Sequence, residues 1–157
     1  MTFASIMVYV DLQQQEEGQV RVAEGLATKF DASIIGVSAS AFEPPFIAEG
    51  VIIEERTEKD LERMKAALAA KEEWFRRTVT LGKERVEWRW GIEYPTAFLA
   101  EQARVADLVV VQRKPLKAEF YRYLDPAEAM LRMGRPILSR MNSMSRWIVL
   151  VTTSISA

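Results

Sequence analysis

The chain has 157 residues, 49% of them hydrophobic, which suits one domain with a full core. Its formal net charge of −1 argues against a general electrostatic role on DNA or RNA, where a basic stripe supplies most of the affinity. It holds no cysteine and no histidine, which removes disulfides, thiol chemistry, the usual zinc ligands and the commonest general base.

The opening MTFASIMVYVD has no basic region, and Asp11 interrupts its apolar stretch, so it does not read as a signal peptide. No run approaches the ~20 apolar residues of a membrane span, and a cytoplasmic location without membrane contact is expected. Ile6 to Val10 is a short β-forming apolar run, the signature of a strand buried on both faces of a parallel sheet. Val20, Ala23, Ala27 and Phe30 recur at helical spacing, with Val22 and Leu26 beside them. Asp31 ends that helix, and Ser33 to Val37 is a second buried strand. Residues 40–57 form a long connection with Pro44, Pro45 and Gly50, the kind that belongs to a site or a lid or is merely mobile.

Thr57 followed by Asp60 approximates a capping box for a helix running to about Val79, with Leu61, Met64, Leu68 and Phe75 on one face. Gly82 ends it or lies just past its end. Val86 to Trp90 alternates: Val86, Trp88 and Trp90 share one face, Glu87 and Arg89 the other, which suits a strand near a sheet edge. Pro95 opens a helix lined by Phe98, Leu99, Ala103 and Ala106, and Leu108 to Val111 is another buried strand. After a basic loop, Asp125-Pro126-Ala127-Glu128 reads as N-cap, first-turn proline and third-position glutamate. Gly134 ends that helix, and Pro136-Ile137-Leu138 begins a last strand.

The order β-α-β-α-β-α-β-α-β predicts an α/β fold: an open, doubly wound, Rossmann-like parallel sheet with helices on both faces. Ligands in such sheets bind beyond the carboxyl ends of the strands, where Asp11, Ser38 to Ala41 and the loop after Val111 fall.

Two stretches carry a family resemblance. Ala106-Asp107-Leu108-Val109-Val110-Val111, a loop, then Ala127-Glu128-Ala129-Met130-Leu131-Arg132 and Pro136-Ile137-Leu138 resemble the end of a universal stress protein domain. The strand ending in Asp11 and the strand Ala32-Ser33-Ile34-Ile35-Gly36-Val37 match its opening. The resemblance covers about residues 4–140, giving a domain at 1–140 and a tail at 141–157. It implies five parallel strands in order 3-2-1-4-5 and dimers joined along the last strand. It also implies that Asp11 is the first-strand aspartate that contacts the nucleoside in ATP-binding members.

Those members hold phosphate with a loop of the form G-x2-G-x9-G-[ST], because glycines let backbone N–H groups approach phosphates and the final pair opens a helix whose N-terminus favours anions. Here residues 112–125 contain no glycine, and Asp125-Pro126 stands where the family has Gly-Ser. The aspartate brings a negative charge to the helix end and the proline removes an N–H. Both oppose a phosphate, so no cofactor is expected at such a degenerate site.

The alternative is ATP held by basic side chains, with Arg113, Lys114, Lys117 and Arg122 replacing the glycines, Asp11 on the ribose, and Ser38 a further candidate for nucleotide or anion. The plain reading of those cations is a solvated basic loop, and that of Asp11 is a strand-end turn. Trp88 and Trp90 read as packing residues before a stacking platform, and Met130 and Met133 as packing on a short helix. Glu54-Glu55 and Glu72-Glu73 read as solvated surface, since adjacent carboxylates on a helix do not share a face. No nucleophile–base pair is visible, so the chain reads as a non-enzymatic stress-response-type regulatory or interaction module with an unidentified protein partner.

In the tail, Trp147 to Val151 is an apolar strand-former with no helix after it. It is open to two readings: the first strand of a second domain, or an extension packing on its own sheet. The edge near Pro136-Ile137-Leu138, extended by the tail, predicts a homodimer, because an exposed apolar edge strand must be covered, charged or paired.

Overall fold

A computed structural model of the chain describes residues 2–14, 17–45, 47–52, 56–113, 121–141 and 147–150. Five strands run parallel: β1 (Ser5–Tyr9), β2 (Ser33–Ala39), β5 (Val86–Gly91), β6 (Leu108–Arg113) and β7 (Ile137–Met141). A sixth, β8 (Trp147–Leu150), pairs antiparallel with β7, so the sheet order is β5-β2-β1-β6-β7-β8. The five parallel strands taken alone follow the expected 3-2-1-4-5 order. The sheet differs from the expectation in having a sixth strand: the tail folds back and covers the edge of β7 with β8. The long connection after β2 contributes a separate small hairpin, β3 (Ile47–Ala48) and β4 (Val51–Ile52).

Side-chain alternation along the strands divides the core in two. Ile6 and Val8 of the first strand, with Val10 just past its end, meet Ile34, Trp88 and Val110 beneath helices α1 (Glu17–Phe30) and α2 (Glu58–Thr78). Met7 and Tyr9 point the other way and join Val37, Val109 and Ile137 beneath α3 (Pro95–Gln102) and α4 (Pro126–Met133). Met130 and Met133 pack against this second layer, as expected. Among the described residues no helix is long and apolar enough to cross a membrane.

The helix ends follow local chemistry. The Thr57 hydroxyl accepts from the Asp60 amide while the Asp60 carboxylate accepts from the Thr57 amide, the reciprocal box the spacing predicts. Asp31, at φ 54, turns the chain out of α1, and the Arg85 guanidinium donates to the carbonyls of Ala27 and Ala32 at 3.1 and 2.6 Å. Gly134 closes α4 in the left-handed region at φ 61, where a side chain is disfavoured. Along α2, Leu68, Lys71, Phe75 and Thr78 are buried, but Leu61 is exposed. It shares their stripe, yet the first turns of α2 line a cleft and not the core.

Two buried polar groups on α1 were not legible as such. Gln19 donates to the Tyr9 carbonyl at 2.6 Å, and Glu24 accepts from the Thr80 hydroxyl at 2.6 Å and pairs with Arg21 at 3.4 Å. Burial pushes the Glu24 carboxyl up. The hydrogen bonds from Thr80 and the Arg21 charge outweigh that and hold it below its ordinary value.

Gly36 lies in register with Trp88, and a Cβ there would stand 2.6 Å from the Trp88 ring and 2.7 Å from Phe75. Those rings meet over the glycine with centroids 5.2 Å apart. The Gly36→Ala variant is therefore expected to lose about 1–3 kcal/mol of stability from overpacking. Denaturant titration checks this, and Trp88→Leu in the same chain should recover part of the loss.

Candidate functional site

The carboxyl edge of the sheet gathers the residues that the sequence singles out. Asp11 follows β1 and is buried, and its Oδ1 accepts from the Gln13 amide at 2.7 Å. This Asx turn points the chain through Leu12 and Gln13. Lys71 of α2 donates from Nζ to the Gln14 carbonyl at 2.8 Å, tying the helix to the turn. Tyr9, one residue pair earlier, donates its hydroxyl to the Ala39 carbonyl at 3.1 Å. Burial, with the nearby Asp11 charge, pushes that phenol far up, so it stays neutral and is no general base.

Beyond β2, Ser38 and Ser40 are fully enclosed, and their hydroxyls have no hydrogen-bond partner among the described residues. The Ser40 amide donates to the Gly91 carbonyl at 3.3 Å and the Ala41 amide to the Tyr121 carbonyl at 2.7 Å. The exit of β2 is thus clamped between β5 and the segment leading into α4.

A cleft of about 790 Å³ opens here. Leu12 and Gln13 form one wall, Phe42, Glu43 and Pro45 a second, and Asp60, Arg63, Met64 and Ala67 of α2 a third. Arg56 and Arg122 complete it. The Arg56 guanidinium lies 5.1 Å from the Phe42 ring centroid and donates to the Glu43 carbonyl at 3.2 Å. Arg122 sits 5.4 Å from the Tyr121 ring centroid. Hydrogen bonds from Thr57 hold the Asp60 carboxyl below the usual range, so it carries its charge. Phe42 and Arg56 also wall a smaller cavity of about 340 Å³ with Ile92, Tyr94 and Ala97.

The helix that would receive a phosphate in the resembling family is filled from within. Asp125 Oδ1 accepts from the amides of Ala127 and Glu128 at 2.9 and 3.2 Å, and Pro126 occupies the first turn without an N–H. The Asp125 amide donates to Thr96 Oγ1 at 3.0 Å, which fixes the cap against α3.

Of the sequence candidates, Asp11, Ser38 and the backbone of Arg113 reach this edge, while Lys114, Lys117 and the Arg113 side chain lie outside what is described. Arg122 joins the cleft; Asp11 acts through the turn it holds. Arg56, Arg63 and Phe42 were not anticipated, because no local motif links the connection after β2 to one face of α2. Trp88 is packed, whereas Trp90 is 46% exposed. Glu72 is paired with Arg76 at 2.9 Å, and Glu54 and Glu55 lie outside the described residues. Among the described residues, no group of three or more Asp or Glu could hold a metal ion.

No protein-family model matches the sequence. No curated protein matches it either. Solved structures do match. A universal stress protein in complex with cAMP has a TM-score of 0.60 at 18% identity, over 91% of this chain and 100% of that one. A universal stress protein from Lactobacillus plantarum gives 0.61 at 14% identity, over 88% and 98%. A universal stress protein family protein from Arabidopsis thaliana, with AMP bound, gives 0.56 at 12% identity, over 88% and 91%. The chain has the universal stress protein fold.

The Asp125 cap carries a stability prediction. Asp125→Ala is expected to cost about 1 kcal/mol in denaturant titration, because two amides lose their acceptor. A difference indistinguishable from zero would remove the argument that this helix end is occupied.

Proposed function

We propose that the chain is a non-catalytic regulatory module of stress-response type, cytoplasmic and homodimeric, that acts through partner binding and has lost its grip on nucleotide polyphosphate. The carboxylate of Asp125 carries this reading. It takes the α4 amides that an anion would need, and Pro126 offers none. The absence of histidine and cysteine from the sequence supports the non-catalytic part. A second reading, a nucleotide-binding regulator with basic side chains in place of glycines, draws on Arg122, which belongs to that loop and lines the cleft. The cAMP- and AMP-bound neighbours give it context.

Calorimetric titration with ATP and Mg²⁺ separates the two. No binding up to millimolar ATP is expected, and sub-millimolar affinity would overturn the first reading in favour of the second.

The dimer interface we propose is the outer edge of β8. Among the described residues β7 is already covered, and β8 and β5 are the two edges of the sheet; β8 continues the expected interface on the β7 side, and its outer N–H and C=O groups need partners. Two copies pairing antiparallel about a twofold axis would satisfy both rims and close without forming fibres. Light scattering at micromolar concentration is expected to give twice the chain mass; a monomer mass refutes it.

A further inference from the structure

We propose that the 790 Å³ cleft binds a small monoanionic amphiphile, a molecule with one carboxylate head and an apolar body. This deepens the regulatory reading by naming the chemistry of the signal, and it rests on that reading only for its biological use. The volume falls in the range of about 300–1,000 Å³ typical of small-molecule sites.

The lining sorts into two parts. Leu12, Phe42, Pro45, Met64 and Ala67 supply apolar surface from three different segments. Arg56, Arg63 and Arg122 supply cations, and Glu43 and Asp60 supply carboxylates. Among the described lining residues, three positive charges against two negative ones leave a surplus of one. A single negative charge is matched, a cation is not, and each further charge of a polyphosphate would be left uncompensated beside Glu43 and Asp60.

The arginines also keep donors to give. A guanidinium carries five N–H groups, and the Glu43 carbonyl takes one of those on Arg56. Arg63 is 3.8 Å from Asp60, too far for a hydrogen bond, so that contact is Coulombic alone. The Arg122 guanidinium lies 5.4 Å from the Tyr121 ring centroid, a cation–π contact that uses none of its N–H donors as hydrogen bonds. The cation–π contacts of Arg56 with Phe42 and of Arg122 with Tyr121 restrain two of the three forks before a ligand arrives. The combination of prearranged forks and an adjoining apolar wall is what a carboxylate with a hydrophobic body requires.

The test is calorimetric titration of the full chain with indole-3-acetate and octanoate. Tryptamine and octylamine serve as cations with the same bodies, and inorganic phosphate as an anion without one. The carboxylates are expected to bind with dissociation constants of about 1 mM or below, from the affinity usual per atom for ligands of this size. The amines and phosphate should bind at least about tenfold more weakly. Arg56→Gln and Arg122→Gln, both at the surface, should each weaken the carboxylates by about tenfold while thermal melting confirms the fold. Met64→Trp, which fills the apolar wall, should abolish binding.

Absence of carboxylate binding to the wild-type chain overturns the proposal. So does equal binding of carboxylate and amine, or a folded Arg56→Gln/Arg122→Gln double variant that binds as before. Phosphate binding as tight as octanoate would remove the apolar body from it. ATP affinity bears on the preceding reading and not on this one, so the two fail separately.

Discussion

The first strand is pinned at both ends as well as buried on both faces, and the position of the whole carboxyl edge depends on that. At its start, the Asp107 carboxylate accepts from the amides of Ala4 and Ser5 at 2.8 and 3.0 Å, and Ser5 donates its hydroxyl to the Val105 carbonyl at 2.7 Å. At its end, Gln19 reaches back from α1 to the Tyr9 carbonyl, and Asp11 folds the next residues into a turn. Between these ties the side chains alternate into two separate cores. A strand fixed this way cannot slip by one residue without sending each core's residues to the wrong face. Leu12 and Gln13 therefore stand at a defined height above the sheet, and one wall of the cleft with them.

In the proposed reading, the anion chemistry of the molecule lies on side chains and not on the backbone. In a glycine loop, N–H groups approach the ligand directly and a helix dipole assists. Here the helix terminus is satisfied by its own carboxylate, which stabilises α4 and leaves nothing over for a ligand. The remaining positive charge sits on long guanidinium side chains across the cleft, two of the three against aromatic rings. Backbone amides suit a compact, highly charged phosphate at close range. Arginine forks spaced around an apolar wall suit a less charged group attached to a greasier body.

Where the responsible physics was local, the sequence made it readable. The buried strands show as apolar runs because a parallel sheet covered by helices dries both faces. The Thr57 and Asp125 caps are visible because donor and acceptor lie within three residues of each other. Gln19, Glu24 and Lys71 look like surface residues on their own helices. They are buried because their partners, the Tyr9 carbonyl, Thr80 and the Gln14 carbonyl, arrive from other elements. The same limit hid the cleft: Arg56, Arg63 and Arg122 have meaning only once the loop after β2, the start of α2 and the approach to α4 share an edge. Leu61 shows the converse, a residue in the correct stripe with no core beneath that turn.

The reversal of direction at β8 has a practical consequence for handling the protein. Leu150 pairs with Ile137, at the beginning of β7, so the described chain leaves the sheet beside the amino ends of the parallel strands. The first strand enters at that same rim. A surface attachment or fluorescent label placed on exposed Thr2, just before the first strand, stands at the rim opposite the cleft. A sensor chip or reporter built on this scaffold can therefore be tethered without crowding the mouth through which a ligand must pass.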